Sequence, residues 1–167
     1  STLGEIAWSP AFAARDIPLA EPLQAALGFS CTVSNDVGMI AEGLLAADLK
    51  RYGGTTAVVF LGYGVGMGLI VGGKVYGGPT GVGSEFGHMN NAPGGPKCRC
   101  GRSGCIEAYA ADYGLLRSAR GGAAEVEPAH SAIPEAKMEA LERQAAAGDP
   151  AALAAFERAG EALGYGI

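Results

Sequence analysis

Three of the four cysteines in the sequence lie in one short segment, "KCRCGRSGC", at residues 97–105. Cys98, Cys100 and Cys105 follow a C-x-C-x4-C spacing, and His88 lies upstream of them. Three thiolates and one imidazole make a complete tetrahedral Cys3His set, the donor set of many structural zinc sites. The glycines between the cysteines give the backbone the freedom to fold these side chains around one ion. The spacing therefore predicts a metal site, with zinc as the favoured ion.

Two other roles for these cysteines agree less well with the sequence. A disulfide is disfavoured in a chain with a cytoplasmic composition, and C-x-C is a strained spacing for one. A single reactive thiol needs no neighbouring thiols, whereas Arg99 and Arg102 suit a site whose thiolates outnumber the charges of the metal. His88 also suits the role of an ordinary hydrogen-bonded histidine. The fourth cysteine, Cys31, is predicted to be a small buried side chain on a strand.

Glycines alternate along the segment "LGYGVGMG" at residues 61–68, directly after a predicted strand. The pattern is not the dinucleotide fingerprint, because that motif leads into a helix and a further strand is predicted here. A glycine-rich hairpin can present successive backbone N–H groups to a phosphate. An ordinary glycine-rich turn explains the same residues equally well.

Acidic and amide side chains occur at two further positions of interest. Asn35 and Asp36 stand where a predicted strand meets a predicted helix. Either residue could cap that helix, or the carboxylate could accept a proton from a substrate hydroxyl. Glu85 and Glu107 flank the cysteine segment, and each is expected on the solvated surface unless the fold brings them to one pocket.

The periodicity of apolar residues predicts a chain that mixes helices with a few strands, in the α/β or α+β class. Gly53-Gly54 should end a helix, and Gly72-Gly73 should be the turn of a hairpin. The predicted helices cover residues 20–28, 37–52, 105–119, 135–147 and 150–166, and the predicted strands cover residues 31–34 and 55–62 and the hairpin 67–78. Residues 77–105 are expected to be mostly loop and residues 120–134 an irregular connection.

Composition limits the class of protein. Apolar residues make up 49% of the 167 residues and charged residues 17%, which is typical of a compact globular protein. No apolar run is long enough to span a membrane, so a cytoplasmic location without membrane contact is predicted. The net charge of −5 argues against a zinc module that grips nucleic acid by itself. Both ends read as incomplete elements, so a fragment or the ordered part of a longer polypeptide is expected.

Four segments of the sequence belong together as a pattern. They are "SND" at 34–36, "LGYGVGMGLIVGGKVYGG" at 61–78, "SEFGHM" at 84–89 and "CRCGRSGCIEAYA" at 98–110. In this order they resemble the ROK family of repressors, uncharacterised reading frames and sugar kinases. The close resemblance runs from Cys31 to Leu116, and a looser one covers the remainder.

The resemblance implies an α/β fold, the actin-like ATPase or ribonuclease-H-like lobe of a two-lobed sugar kinase fold with a zinc-binding loop. Residues 1–34 would be the end of an N-terminal lobe, and residues 35–167 would be a C-terminal lobe truncated at its C-terminus. The loop at 88–105 would hold a structural zinc. Its ligands would be His88, Cys98, Cys100 and Cys105.

The resemblance also implies a site for a small sugar. The residues bonding its hydroxyls would be Asn35, Asp36, Glu85, His88 and Glu107. In kinase members the aspartate that matches Asp36 is the general base, and ATP and magnesium are the cofactors. The loop that meets the nucleotide phosphates would correspond to Gly62, Gly64 and Gly66.

Two classes of ROK protein remain open, and the resemblance favours the regulator. Kinase members usually carry Thr at the position of Tyr63, and a bulky Tyr there disfavours phosphoryl transfer. The favoured function is therefore the effector domain of a transcriptional regulator that senses a hexose or an N-acetylhexosamine; the alternative is an ATP-dependent sugar kinase. A regulator would contact DNA only through an N-terminal domain outside this chain, and the family resemblance suggests a homodimer or homotetramer.

Overall fold

The computed structural model describes residues 4–7, 9, 12–78, 84–122 and 133–167. Both helices and strands are present in these residues, and the protein is of the α/β class. The strands are β1 (Glu5–Ile6), β2 (Ile17–Pro18), β3 (Thr56–Leu61), β4 (Val65–Val71) and β5 (Lys74–Tyr76). The helices are α1 (Ala20–Leu27), α2 (Asp36–Ala47), α3 (Leu49–Tyr52), α4 (Glu107–Ala110), α5 (Asp112–Ala119), α6 (Glu135–Ala146) and α7 (Pro150–Gly166), with a 3-10 turn at Phe86–His88.

The chain divides into two compact units. Unit 1 comprises the described residues within Ser1–Val59 and Gly66–Glu85, and unit 2 those within Phe60–Val65 and Phe86–Ile167. The expected lobe boundary between residues 34 and 35 concerns a larger fold and remains a prediction. In the part of the chain that the structure describes, no helix combines the length and apolar composition needed to cross a bilayer.

The segment before α2 is not the strand that the sequence predicts. Residues 31–35 are without regular structure, and the backbone N–H of Cys31 donates to the side-chain oxygen of Gln24 at 3.1 Å. That donor is therefore used by α1 and not by a neighbouring strand. Cys31 itself is half-buried, so its predicted place on a buried strand is wrong.

The long helix predicted at 37–52 is two helices. Asp48 lies between them with φ −150° and ψ 86°, and its carboxylate accepts a hydrogen bond from the N–H of Arg51 at 3.0 Å. An aspartate that caps a helix offers the backbone an alternative to continuing the preceding one. Apolar periodicity persists through such a break, which explains why the sequence pattern did not reveal it.

The glycine hairpin is confirmed. In the three-stranded sheet with order β3-β4-β5, β4 and β5 are antiparallel, and Ile70 is paired with Val75. Gly72 and Gly73, with φ of 56° and 75°, form their turn, and both positive values suit a two-residue turn between twisted strands. Strand β3 is present as predicted, but its residues are half-buried or exposed and not fully buried.

Unit 1 is closed by the approach of α2 to β4. A Cβ atom on Gly66 would lie 2.7 Å from Val37 Cγ2, and one on Gly68 would lie 2.8 Å from Ala41 Cβ. Both distances are shorter than side chains tolerate. The alternating glycines of β4 thus leave room for the helix.

Unit 2 is a set of helices packed around α7, which contacts α4, α5 and α6. Its inward face is a stripe of alanines, and the side chain of Asp149 caps its first turn by accepting from Ala152 N at 2.8 Å. The helix predicted from residue 105 is again two helices. Ala111 is extended with ψ 160°, and the N–H of Asp112 donates to the carbonyl of Gly62 at 2.9 Å. Gly62, in the turn between β3 and β4 (residues 62–64), therefore accepts a hydrogen bond from the first N–H of α5.

Candidate functional site

The Cys3His residues meet in unit 2. One ligand atom from each of His88, Cys98, Cys100 and Cys105 lies within 4.8 Å of all the others. The sulfurs of Cys100 and Cys105 are 3.8 Å apart, and His88 Nδ1 is 3.7 Å from the Cys98 sulfur. A tetrahedral zinc ion holds two sulfurs about 3.8 Å apart, and a sulfur and a nitrogen about 3.6 Å apart. The group therefore matches a tetrahedral metal, and all four cysteines of the chain are free thiols, not disulfides.

Short backbone bonds shape the loop around this group. Cys98 N donates to Arg102 O at 2.9 Å and Gly101 N donates to Cys98 O at 3.0 Å, which closes a tight turn that contains Cys98 and Cys100. Gly104 has φ 80°, and a Cβ there would overlap the backbone of Ala92. A glycine is required at that position both by its conformation and by the space available.

The electrostatics of the loop disfavour an uncompensated thiolate at Cys105. Burial, followed by the negative charge of Cys98, raises the pKa of the Cys105 thiol to about 12. Three thiolates close together in a poorly solvated site repel one another unless a positive charge stands between them. A coordinated divalent ion supplies that charge and deprotonates its thiols.

Glu107 is buried, so its expected place on the solvated surface is wrong. The side chain is 7% exposed, and its Oε2 accepts a hydrogen bond from the N–H of Val65 at 3.3 Å. Its Oε1 lies 3.2 Å from the hydroxyl of Tyr113 and 3.5 Å from the sulfur of Cys98. The carboxylate thus connects the cysteine loop with the start of β4.

The hydroxyl of Tyr113 is a hydrogen-bond donor to both Glu107 and the sulfur of Cys98. Its hydroxyl is also 3.6 Å from the Cys98 sulfur, and burial together with the charge of Glu107 raises its pKa. A thiol at Cys98 can donate to Glu107, but a metal-bound thiolate cannot. The tyrosine, which keeps its proton, then remains as the donor between the two.

Sequence reasoning missed Arg117 and the contacts of Arg99, which was expected only to offset the charge of the thiolates. The guanidinium of Arg99 lies 4.5 Å from the ring centroid of Tyr63 and 4.4 Å from that of Tyr113.

Arg117 is buried, and it donates to the carbonyls of Lys97 (2.8 Å) and Ala108 (2.5 Å). Burial lowers its pKa. The four-residue spacing of Tyr113 and Arg117, which places both on one helix face, was the available signal.

In unit 1, Asn35 and Asp36 take different roles. The side chain of Asn35 caps α2 by accepting from Gly38 N at 3.1 Å. Asp36 is exposed in the first turn, and its Oδ1 accepts from Val37 N at 2.8 Å. The capping role suggested for the pair therefore belongs to Asn35. Glu85 is exposed at the end of unit 1.

Of the candidate phosphate-binding glycines, Gly62 and Gly64 lie in the turn between β3 and β4, and Gly66 lies in β4. Gly62 N donates to Gly64 O at 3.1 Å, which closes the turn. A Cβ on Gly64 would lie 3.0 Å from Glu107 Oε2, and Gly66 faces α2 as described above. The tight turn and the close approaches of Glu107 and α2 thus explain why glycines stand at these positions.

The chain belongs to the ROK family, whose profile matches residues 1–167. A glucokinase of Streptomyces coelicolor is 38% identical over 110 residues, which is 64% of this chain and 33% of the glucokinase. The ROK family glucokinase of Streptomyces griseus, solved in complex with glucose and AMPPNP, is 27% identical with a TM-score of 0.72 over 97% of this chain and 55% of that one.

A regulator is structurally as similar as the kinase. The structure of a ROK family transcriptional regulator, a homologue of the Escherichia coli MLC protein, is 26% identical with a TM-score of 0.73. It is matched by 100% of this chain, which covers 42% of the regulator. The chain therefore spans between a third and about half of these relatives, and both regulators and sugar kinases are among them.

Proposed function

We propose that this chain is the sugar-binding effector domain of a ROK family transcriptional regulator that senses a hexose or an N-acetylhexosamine. In this proposal it forms the C-terminal, actin-like lobe of a larger cytoplasmic protein. Contact with DNA belongs to a segment outside these residues, since the net charge of −5 argues against this chain binding a phosphate backbone by itself.

The observation that carries the proposal is that residue 63 is a tyrosine whose ring is packed against Arg99. ROK kinases usually have a small hydroxyl residue here, facing the phosphate that is transferred. In this chain the position holds a large ring, against which Arg99 stacks at 4.5 Å, and Arg99 Nη1 also donates to the Tyr63 carbonyl at 3.3 Å. The small hydroxyl that meets the phosphate in the kinases is therefore replaced by a ring packed against an arginine. Because phosphoryl transfer depends mostly on positioning and charge, that loss favours sensing over catalysis.

The proposed sugar-binding residues have the chemistry of hydroxyl recognition. They are Asn35, Asp36, Glu85, His88 and Glu107. Carboxylates and amides accept and donate to sugar hydroxyls, and a charged acceptor makes the stronger bond. Since His88 Nδ1 faces the Cys98 sulfur, a sugar hydroxyl would be bonded through Nε2.

The Cys3His group is proposed to hold one structural zinc ion. Its four donors are the ligand types that zinc prefers, and their spacing suits a closed tetrahedral site with no open position for a substrate. The ion would fix the loop that carries His88 and leads into Glu107. In this proposal the metal organises the site and takes no part in a reaction.

The alternative is an ATP-dependent sugar kinase, and one observation favours it. Asp36 is an exposed carboxylate in the first turn of α2, because Asn35 has taken the capping role. A general base needs such a carboxylate within reach of a hydroxyl. In that case Asp36 would deprotonate the sugar, and ATP with magnesium would bind beside Gly62, Gly64 and Gly66.

Calorimetry on the full-length protein tests the sugar site. We expect saturable binding of at least one member of a panel of hexoses and N-acetylhexosamines. Glu107→Gln, which keeps the size of the side chain, should weaken it by about 1.5–3 kcal/mol, and Asp36→Asn should also weaken it. Glu157→Gln, an exposed glutamate on α7, is the control and should change nothing. No heat with any sugar would refute the proposed site.

A further inference from the structure

One residue separates the first two cysteines of the candidate metal site, Cys98 and Cys100, and that residue is Arg99. Its backbone lies between Cys98 and Cys100, so ligation of both sulfurs by one ion would fix its backbone angles. Its side chain leaves the loop and lies over the rings of Tyr63 and Tyr113 at 4.5 and 4.4 Å. Arg99 is thus directly joined to the cysteine loop by the chain and to the β3–β4 turn by its side chain.

Three of the contacts of the β3–β4 turn, residues 62–64, join it to the rest of unit 2. Asp112 N donates to Gly62 O at 2.9 Å, and Glu107 accepts from the N–H of Val65, which directly follows the turn. The third contact is the bond from Arg99 Nη1 to the Tyr63 carbonyl at 3.3 Å, reinforced by the stack on the Tyr63 ring. Of the three, only this last contact comes from between two candidate ligands.

The other arginine of the loop behaves differently. Arg102 is exposed, and its side chain hydrogen-bonds Cys100 within the loop itself. It therefore shares the loop and the charge of Arg99, but its bond joins it to a candidate metal ligand. The matched control is instead Arg51 of α3, whose guanidinium lies 5.3 Å from the ring centroid of Tyr52.

We propose that Arg99 is the positioning residue through which the metal loop sets the conformation of the β3–β4 turn. With the sulfurs ligated, the backbone of Arg99 is fixed and the stack on Tyr63 costs only the ordering of one side chain. In a loop without the ion, the stack must also order the backbone, which weakens it. Metal occupancy and turn order are therefore coupled, and by linkage the coupling acts in both directions. It holds whether the protein senses a sugar or phosphorylates one.

Hydrogen exchange on the zinc-loaded, full-length protein tests the effect on the turn. Arg99→Ala should speed exchange in the peptide spanning residues 60–66 by about 2-fold to about 30-fold, the range of a partly desolvated cation–π pair. Zinc content should stay the same, and α6 and α7 should exchange as before. Arg99→Lys should restore part of the protection, because the charge remains over the rings. Arg51→Ala, which removes the stack on Tyr52, should leave the peptide unchanged.

If Arg99→Ala fails to fold, the effect of the turn on zinc affinity still tests the proposal. Tyr63→Leu lies outside the loop and should lower the zinc affinity by about 2-fold to about 30-fold, measured by competition with a chelating dye. Tyr76→Leu, an exposed tyrosine of β5, should leave the affinity unchanged. Equal zinc affinity in Tyr63→Leu and wild type would overturn the proposal. So would faster exchange of equal size in residues 60–66, α6 and α7, which indicates general destabilisation.

Discussion

The two units of the chain bring their elements together by opposite means. In unit 1, α2 approaches β4 because the strand lacks side chains at Gly66 and Gly68, where a Cβ would lie 2.7 or 2.8 Å from atoms of the helix. In unit 2, the loop, α4 and α5 meet through buried polar groups: thiols, a carboxylate, a tyrosine and an arginine. Missing side chains let the elements of unit 1 approach, whereas buried polar groups join the loop to α4 and α5 in unit 2.

This difference determines how each unit responds to change. A buried polar cluster depends on every member, because a group that loses its partner keeps the cost of its burial. Close packing against glycine depends on the space alone and is insensitive to charge or metal. We therefore expect substitutions and metal removal to separate the two units experimentally.

The largest effect is expected from the cysteine loop. Cys100→Ser should reduce zinc from about one ion per chain to almost none and lower the free energy of unfolding by more than about 4 kcal/mol, because a structural site contributes directly to folding. Elemental analysis and denaturant unfolding measure the two effects. Cys31→Ser, at the cysteine outside the cluster, is the control and should retain the metal. A metal-free wild-type protein with freely titratable thiols would contradict the prediction.

A smaller effect is expected in unit 1. Gly66→Ala should lower the free energy of unfolding by about 1–3 kcal/mol, since its new methyl group would force α2 away from β4. Gly43→Ala on α2 has no atom within 4 Å of the added Cβ and should raise stability by about 0.5–1 kcal/mol. Denaturant unfolding compares them, and zinc content should be equal in both. If the two variants are equally stable, the close approach is not what closes unit 1.

The smallest effect should be the same in both units. Asn35→Ala removes the cap of α2 and Asp149→Ala removes the cap of α7, and each should cost about 1 kcal/mol. Thermal unfolding with matched Asn35→Ser and Asp149→Asn variants, which keep a capping oxygen, provides the control. A cost several times larger in one unit would mean that the cap there also takes part in packing.

The sequence predicted best what local chemistry determines. The hairpin at Gly72-Gly73, the cap at Asp149 and the Cys3His cluster each rest on a few neighbouring residues with fixed requirements. The breaks at Asp48 and Ala111 were missed, because apolar periodicity continues across them. At Ala111 the cause is a distant partner, the carbonyl of Gly62.

The site was predicted less completely, for a related reason. Residue types suggested the metal ligands, whereas the buried positions of Glu107 and Arg117 depend on contacts between segments far apart in the sequence. The resemblance assigned Gly62, Gly64 and Gly66 to a phosphate loop, and the approach of α2 that Gly66 permits could not be predicted from the strand alone. A charged residue is expected at the surface, and its burial becomes evident only when its hydrogen-bond partners are known.

The measurement that tests the central claim most directly is sugar-dependent release of ADP by the full-length protein, with ATP and magnesium present. If the protein senses sugar without catalysis, a sugar that binds in calorimetry should give no ADP release above the background. Turnover of roughly 1–100 per second, the typical range of kinases, that is abolished by Asp36→Asn would contradict the regulator and establish the kinase.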